Sequence, residues 1–265
     1  LSWFSDMFGT EKPIIGLLHL FSLPGDPFYS TSDSIEKVIE QAKSDLTALQ
    51  EGGVDGVLIT NEFSMPYEKE VSKVALASMA MVIGAIRNLI YVPFGVEAIY
   101  DGDATIELCA ATGALFTRCL FTGAWAGDHG LVNRNIAKTL RLKSALRLDN
   151  LKLFYFVTSE GEVYLNDRSY TDIAQTMLFN CHPDALVVGG TAPGLNPEGS
   201  LLEDIKKVAG NTPVVCGTGC NASNVKGVLA VCDGAFVGTT LKTNGKFENS
   251  VDRQRVSEFM SCARL

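Results

Sequence analysis

Short apolar runs alternate with amphipathic stretches along nearly the whole chain. Pro13-Ile14-Ile15-Gly16-Leu17-Leu18-His19 is the first run, apolar at successive positions and so suited to a strand buried on both faces. Asp33 with Glu36 three residues later forms a capping-box-like helix start. Ile35, Val38, Ile39, Ala42, Leu46 and Leu49 then fall on one helical face until Gly52-Gly53 ends it. The same sequence of strand and helix continues. Strands are predicted at 57–61, 92–99, 115–121, 151–157 and 185–188, and in the runs 213–219 and 234–240. Helices are predicted over 69–88, 103–112, 136–148 and 171–179, then after a Ser200/Glu203 capping box, after Ser223, and after Asp252. Residues 122–133 read as a long exit loop.

Three strand starts share a local phrase: Asp55-Gly56-Val57, Asp184-Ala185-Leu186 and Asp233-Gly234-Ala235. A recurring acid, small residue and apolar run implies one αβ turn used repeatedly. Eight strand–helix units with none left over predict closure into a single (β/α)8 TIM barrel, one domain over residues 1–265. The rival is an open dinucleotide-binding sheet, since Gly217-Thr218-Gly219-Cys220-Asn221-Ala222 mimics a G-x-G-x-x-A fingerprint. That fingerprint belongs in the first βα turn of its fold, and here only one strand and one helix remain after it.

The length of 265 residues suits the barrel, which takes about 250. With 22 Lys and Arg against 30 Asp and Glu the net charge is −8, which argues against a nucleic-acid partner. An anionic small molecule is not excluded, because a backbone cradle needs no net positive protein. The seven cysteines contain no C-x-x-C pair and read as reduced, mostly buried thiols of a cytoplasmic protein. Residues 1–11 carry no signal-peptide pattern. The apolar stretch Val74–Ile86 is too short for a transmembrane segment and reads as a buried helix.

In a barrel, side chains at the C-terminal ends of the strands meet the ligand. His19 ends the first run, Asn61 and Glu62 end the second, and Glu97 lies near the end of the third. Arg118, in the fourth, shares a face with Phe116, Leu120 and Thr122 by period-two alternation. If that face points inward, the buried cation needs a partner, and Glu97 on the adjacent strand is the candidate. The pair then either satisfies itself or serves as an Arg-oriented general acid/base. The glycine-rich exits supply Gly190, Gly194, Gly217, Thr218, Gly219, Gly238 and Thr239. Turn chemistry alone would explain them, and so would a phosphate cradle of backbone N–H groups. His129, in the long exit loop, could close on a ligand, Asp128 beside it reads as a loop-fixing acid, and His182 stands before a strand and reads as structural. G-x-S-x-G and P-loop motifs are absent.

Several phrases taken together resemble the BtpA/SgcQ family. They are Gly16-Leu17-Leu18-His19-Leu20 running into Leu23-Pro24-Gly25-Asp26-Pro27, then Asn61 with Pro66, and Ala111-Thr112-Gly113-Ala114 with Phe116 and Arg118. Thr122-Gly123-Ala124 with Asp128, and a tail of Gly238-Thr239, Lys242, Gly245, Asn249, Val251-Asp252, Arg255-Val256 and Phe259-Met260, extend the likeness over essentially the whole chain. Asn61-Glu62-Phe63-Ser64 and Phe121-Thr122-Gly123-Ala124 are most similar to the SgcQ branch. The resemblance implies a TIM barrel akin to the ribulose-phosphate-binding barrels. It associates one branch with photosystem I biogenesis and the other with a sugar phosphotransferase gene cluster. Thr60 and Glu97 depart from the BtpA branch, where an acid often precedes the Asn and an Asn stands at the second position.

The first expectation is an enzyme acting on a phosphorylated sugar or related phosphometabolite. It would be an isomerase, epimerase or lyase, with Glu97, His19 and Glu62 as acid/base candidates and the late glycines on the phosphate. The alternatives are a non-catalytic assembly factor and a metal-assisted hydrolase using His19, Glu62 and Glu97. No cofactor is expected; a divalent metal and a homo-oligomer are left open.

Overall fold

Asp55, Asp184 and Asp233, the recurring acids, do one job three times. Each carboxylate accepts the first free N–H of the strand beside it: Asp55 from Ile14 at 2.7 Å, Asp184 from Leu153 at 2.9 Å and Asp233 from Val214 at 2.8 Å. Each is also paired with a cation, Arg264, Lys152 and Lys206 respectively. The repeated phrase is a stitch that ties a strand start to its neighbour where ladder bonds have not yet begun.

The computed structural model describes residues 2–190 and 200–264. Its elements run α1 (Trp3–Phe8), β1 (Ile14–His19), α2 (Ile35–Gly52), β2 (Gly56–Thr60), α3 (Lys73–Ile86), β3 (Phe94–Glu97), α4 (Gly102–Thr112) and β4 (Phe116–Cys119). Then come β5 (Ala124–Gly127), β6 (Gly130–Asn133), α5 (Ile136–Ala145), β7 (Lys152–Thr158), β8 (Glu162–Tyr164), α6 (Tyr170–Cys181) and β9 (Ala185–Val188). The chain finishes with α7 (Leu201–Val208), β10 (Val214–Cys216), α8 (Val225–Val231), β11 (Gly234–Val237) and α9 (Arg253–Arg264).

Among the described residues, eight parallel strands close in the order β1-β2-β3-β4-β7-β9-β10-β11. The closing pair sets Ile14 beside Ala235 and Ile15 beside Phe236, which removes the open dinucleotide-binding sheet from consideration. Alternation along each strand divides the core in two. Ile15, Leu17, Leu58, Phe116, Phe154, Val187, Val215 and Phe236 fill the barrel, and residues between them such as Val57, Val96, Tyr155 and Val188 pack outward under the helices. Gly95 belongs to the inward set because a Cβ there would lie 2.6 Å from the Phe116 ring.

α1 seals the N-terminal end of the barrel. Its Phe8 meets Phe116 edge-on at 5.3 Å between centroids, and Phe4 lies 6.1 Å from Phe154. Fully burying each such ring contributes roughly 1.5–3 kcal/mol. The cysteines are free thiols, with Cys109, Cys119, Cys216, Cys220 and Cys232 buried. Among the described residues no helix is long and apolar enough to cross a membrane, α3 included.

Three local readings are corrected. Ser34, not Asp33, caps α2: its hydroxyl accepts from the Lys37 N–H at 3.3 Å, while Asp33 closes a turn back onto the Ser30 N–H at 2.7 Å. Asp33 stands one residue too early for the first helical turn. Ser200 makes no side-chain cap, because its backbone is not extended (φ −86°, ψ 3°) and its hydroxyl turns to Asp204. The third correction lies in 122–133. Instead of an irregular loop, β5 and β6 form a hairpin, and β8, from beyond β7, adds antiparallel to β5 with Trp125 beside Tyr164 and Ala126 beside Val163. The exits of two neighbouring barrel strands are thereby joined in one small sheet over the mouth.

Candidate active site

Inward-facing positions at the C-terminal ends of the strands meet in a cavity of about 910 Å³. His19, Glu62, Glu97 and Arg118 line one part of it, and Gly217, Thr218, Gly219, Gly238 and Thr239 line another. Of the sequence candidates, these nine share the cavity with Asp128 and His129 of the β5–β6 turn. Asn61 is turned to the backbone, with its Oδ1 accepting from the Ile99 N–H at 2.8 Å, where it bridges the ends of β2 and β3. Gly190 stands behind the lining, its N–H donating to Thr218 Oγ1 at 2.8 Å. Gly194 lies outside the described residues.

Glu97 and Arg118 form the centre. Adjacent strands bring them together: Nε of Arg118 donates to Glu97 Oε2 at 2.9 Å, and both side chains are more than nine-tenths buried. Nη1 donates to the Gly217 carbonyl across the barrel at 3.3 Å. The guanidinium also lies over the Phe236 ring at 4.6 Å and near Phe156 at 5.3 Å. These restraints hold it as a fixed plane. Burial pushes the Glu97 carboxyl up to about 7, against the pull of Arg118. The carboxyl therefore exchanges a proton near neutrality.

His19 is the second member. Burial holds its imidazole down to about 4 despite the nearby Glu62 carboxylate, so it is neutral at physiological pH. Neither ring nitrogen has a hydrogen-bond partner among the described residues. The Glu62 carboxylate, which accepts from the Thr60 hydroxyl at 3.1 Å, lies 4.0 Å from His19 Nε2. Gly238 gives the ring its room, since a Cβ there would stand 3.1 Å from His19 Cε1 and Nε2. A buried polar ring left unpaired at a cavity wall is costly unless a ligand or water meets it.

The sequence reading missed several lining residues. Glu160 enters from the β7–β8 turn and Glu162 from the start of β8, Tyr67 and Tyr100 from the segments after β2 and β3, and Phe28 from the loop after β1. Burial pushes Glu160 up to about 7. Tyr100 donates to Glu162, as does the Ser159 hydroxyl at 2.6 Å, and His129 Nδ1 lies 3.6 Å from the same carboxylate. A turn signal, Ser159-Glu160-Gly161, was available in the sequence. His182 caps α6 in a left-handed conformation (φ 49°) just before the start of β9, at the other end of that strand from the mouth. Among the described residues no group of three or more His, Cys, Asp or Glu is arranged to hold a metal ion, and Glu97 is committed to Arg118.

A family model described as the BtpA family matches residues 10–264. The chain is 41% identical over 260 residues to the sgc region protein SgcQ of Escherichia coli, covering 98% of this chain and 97% of that protein. It is 29% identical over 256 residues to the photosystem I biogenesis protein BtpA of Synechocystis, covering 96% and 88%. Among solved structures, N-(5'-phosphoribosyl)anthranilate isomerase from Pyrococcus furiosus is similar with a TM-score of 0.55, at 14% identity and 96% and 98% coverage. At that identity the likeness speaks for the fold alone.

Proposed function

The chain belongs to the BtpA family, and from that premise we propose that it is a phosphorylated-sugar enzyme of the isomerase, epimerase or lyase type. The observation that carries the proposal is the Glu97–Arg118 pair, a carboxyl at about 7 held 2.9 Å from a fixed guanidinium inside the mouth. A general base works best when its proton affinity sits near the working pH. Glu97 removes a proton from carbon beside a carbonyl. The bonds to Glu97 and Gly217 use two of the five N–H donors of Arg118, and the others stabilise the oxyanion that develops. Neutral His19 donates to or accepts from the same oxygens without adding charge. The backbone N–H groups at Gly219, Gly238 and Thr239 receive the phosphate, while the Gly217 N–H is spent on the Val188 carbonyl at 2.8 Å. That some fold neighbours are phosphoribosyl isomerases supports this reading only by analogy.

The test is thermal stabilisation by pentose and hexose phosphates compared with the free sugars, followed by turnover of Glu97→Gln on whichever phosphate binds. The phosphorylated compounds raise Tm, and Glu97→Gln stays folded and binds but loses about 10²–10⁴ in rate. A chain that no sugar phosphate stabilises would sink the proposal.

A second reading, a non-catalytic assembly factor, is favoured by one feature. The β5–β6–β8 sheet and its continuation expose Leu131 and Val163 at 64% and Leu165 at 54%. Leu131 and Val163 flank Ala126 on a single row. Absence of ligand stabilisation, together with loss of a captured partner on Leu131→Asp, would move the assignment to this reading.

A further inference from the structure

At about 910 Å³ the cavity lies near the top of the range of about 300–1,000 Å³ for small-molecule sites. A five- or six-carbon phosphate would leave much of it empty. The unused part is built from aromatic rings. Tyr67 follows β2, Tyr100 follows β3 and His129 sits in the β5–β6 turn, yet their rings meet in a triangle with centroids 5.6, 5.5 and 5.1 Å apart. All three line the cavity, next to Ile99 and Leu120.

The hydroxyls are not what these tyrosines offer. Tyr67 OH donates to the Glu62 carbonyl at 3.0 Å and Tyr100 OH donates to the Glu162 carboxylate. The hydroxyls are tied to the protein, and ring surface is left for the cavity. Tyr100 is also held at φ 66°, a left-handed conformation that costs a residue other than glycine about 1 kcal/mol or more. The fold retains that cost, and with it the aim of the ring. Glu160, two residues before Glu162 and on the same lining, adds an acceptor.

Resting on the function proposed above, we propose that this half of the cavity is a ring subsite. The ligand is a phosphorylated sugar carrying a second, planar ring with N–H donors, such as an N-linked heterocycle. The ring stacks on the Tyr67–Tyr100–His129 cluster and donates to Glu160, while the phosphate lies at the β10 and β11 exits. Stacking of a base on an aromatic side chain is worth enough to read as a tenfold or greater change in affinity.

Calorimetric titration of the full chain with ribose 5-phosphate and with adenosine 5'-monophosphate tests this, since the two share a phosphorylated pentose and differ in the ring. The monophosphate binds at least tenfold more tightly. Tyr67→Leu and His129→Ala each remove most of that advantage and leave ribose 5-phosphate affinity unchanged, whereas Tyr67→Phe keeps it. Equal affinity for the two probes, or an advantage that survives both Tyr67→Leu and His129→Ala, overturns the ring subsite and leaves the sugar-phosphate function standing. Binding of neither probe overturns the ring subsite, and the sugar-phosphate function falls with it only if no pentose or hexose phosphate stabilises the chain.

Discussion

Arg118 and Glu97 are each other's answer to burial. The bond from Nε to Oε2 is 2.9 Å long between side chains that are both more than nine-tenths buried, and removing either partner strands the other. Arg118→Met therefore costs about 3–5 kcal/mol of unfolding free energy. Without its cation, the folded Glu97 carboxyl moves further above its unfolded value. Protonation then supports the fold, and the deficit of Arg118→Met deepens as pH rises from 6 to 8. Arg118→Met/Glu97→Gln recovers part of the loss and flattens that slope. Urea unfolding at the two pH values checks both statements, and a single variant as stable as the parent would contradict them.

His19 sets the opposite slope on the acid side. Its folded value of about 4 lies below the unfolded 6.5, so the unfolded chain binds the extra proton first. The stability this group contributes is complete above pH 6.5 and is lost as pH falls toward 4. His19→Asn removes that loss. The Tm difference between His19→Asn and the parent becomes more favourable to the variant from pH 7 to pH 4.5, read by differential scanning calorimetry. A difference that stays constant over this range would show that His19 does not titrate as its burial requires.

Phe8 acts on stability and leaves the mouth untouched. It is 6% exposed and packs on Phe116 and against Gly56, at the end of the barrel away from the cavity. Phe8→Ala lowers unfolding free energy by about 3–5 kcal/mol. Affinity for whichever sugar phosphate stabilises the parent changes by less than twofold. A large change in affinity would mean that the floor and the mouth are coupled.

Gly238 tests the exit of β11. A methyl group there stands 3.1 Å from the His19 ring and from Leu17 Cδ1, so the imidazole must give way. Gly238→Ala folds with a Tm near that of the parent and loses at least tenfold in sugar-phosphate affinity. Undiminished binding would place the phosphate elsewhere on the mouth.

Much of the barrel was legible because its signals are local. Each strand is a continuous apolar run and each helix an amphipathic stretch, so period and punctuation mark them without knowledge of the partner. The Glu97–Arg118 pairing could be anticipated because alternation turns Arg118 inward and the adjacent strand offers one acid. The hairpin could not. Ala124-Trp125-Ala126-Gly127 has little strand propensity, and the residues of its second partner, Glu162–Tyr164, pair with it across 35 to 39 positions of sequence. Pairing of that kind leaves no periodicity to find. Glu162 escaped for the same reason, since it begins β8, and Tyr100 escaped because it falls one residue beyond the predicted third strand. The Asp33 cap failed on a smaller scale. Two adjacent residues could both cap, and one residue of register decided between them.

The three-stranded sheet also decides how the mouth can open. β5 leaves β4, β8 leaves β7, and the ladder between them means neither exit can swing alone without breaking backbone hydrogen bonds. That side of the cavity is a wall. The loop after β1, which carries Phe28 at 68% exposure on the cavity rim, joins no such ladder and is held to the exit of β2 by single bonds instead, from the Ser22 hydroxyl to the Phe63 carbonyl at 3.0 Å and from the Ser64 hydroxyl to Asp26 at 2.6 Å.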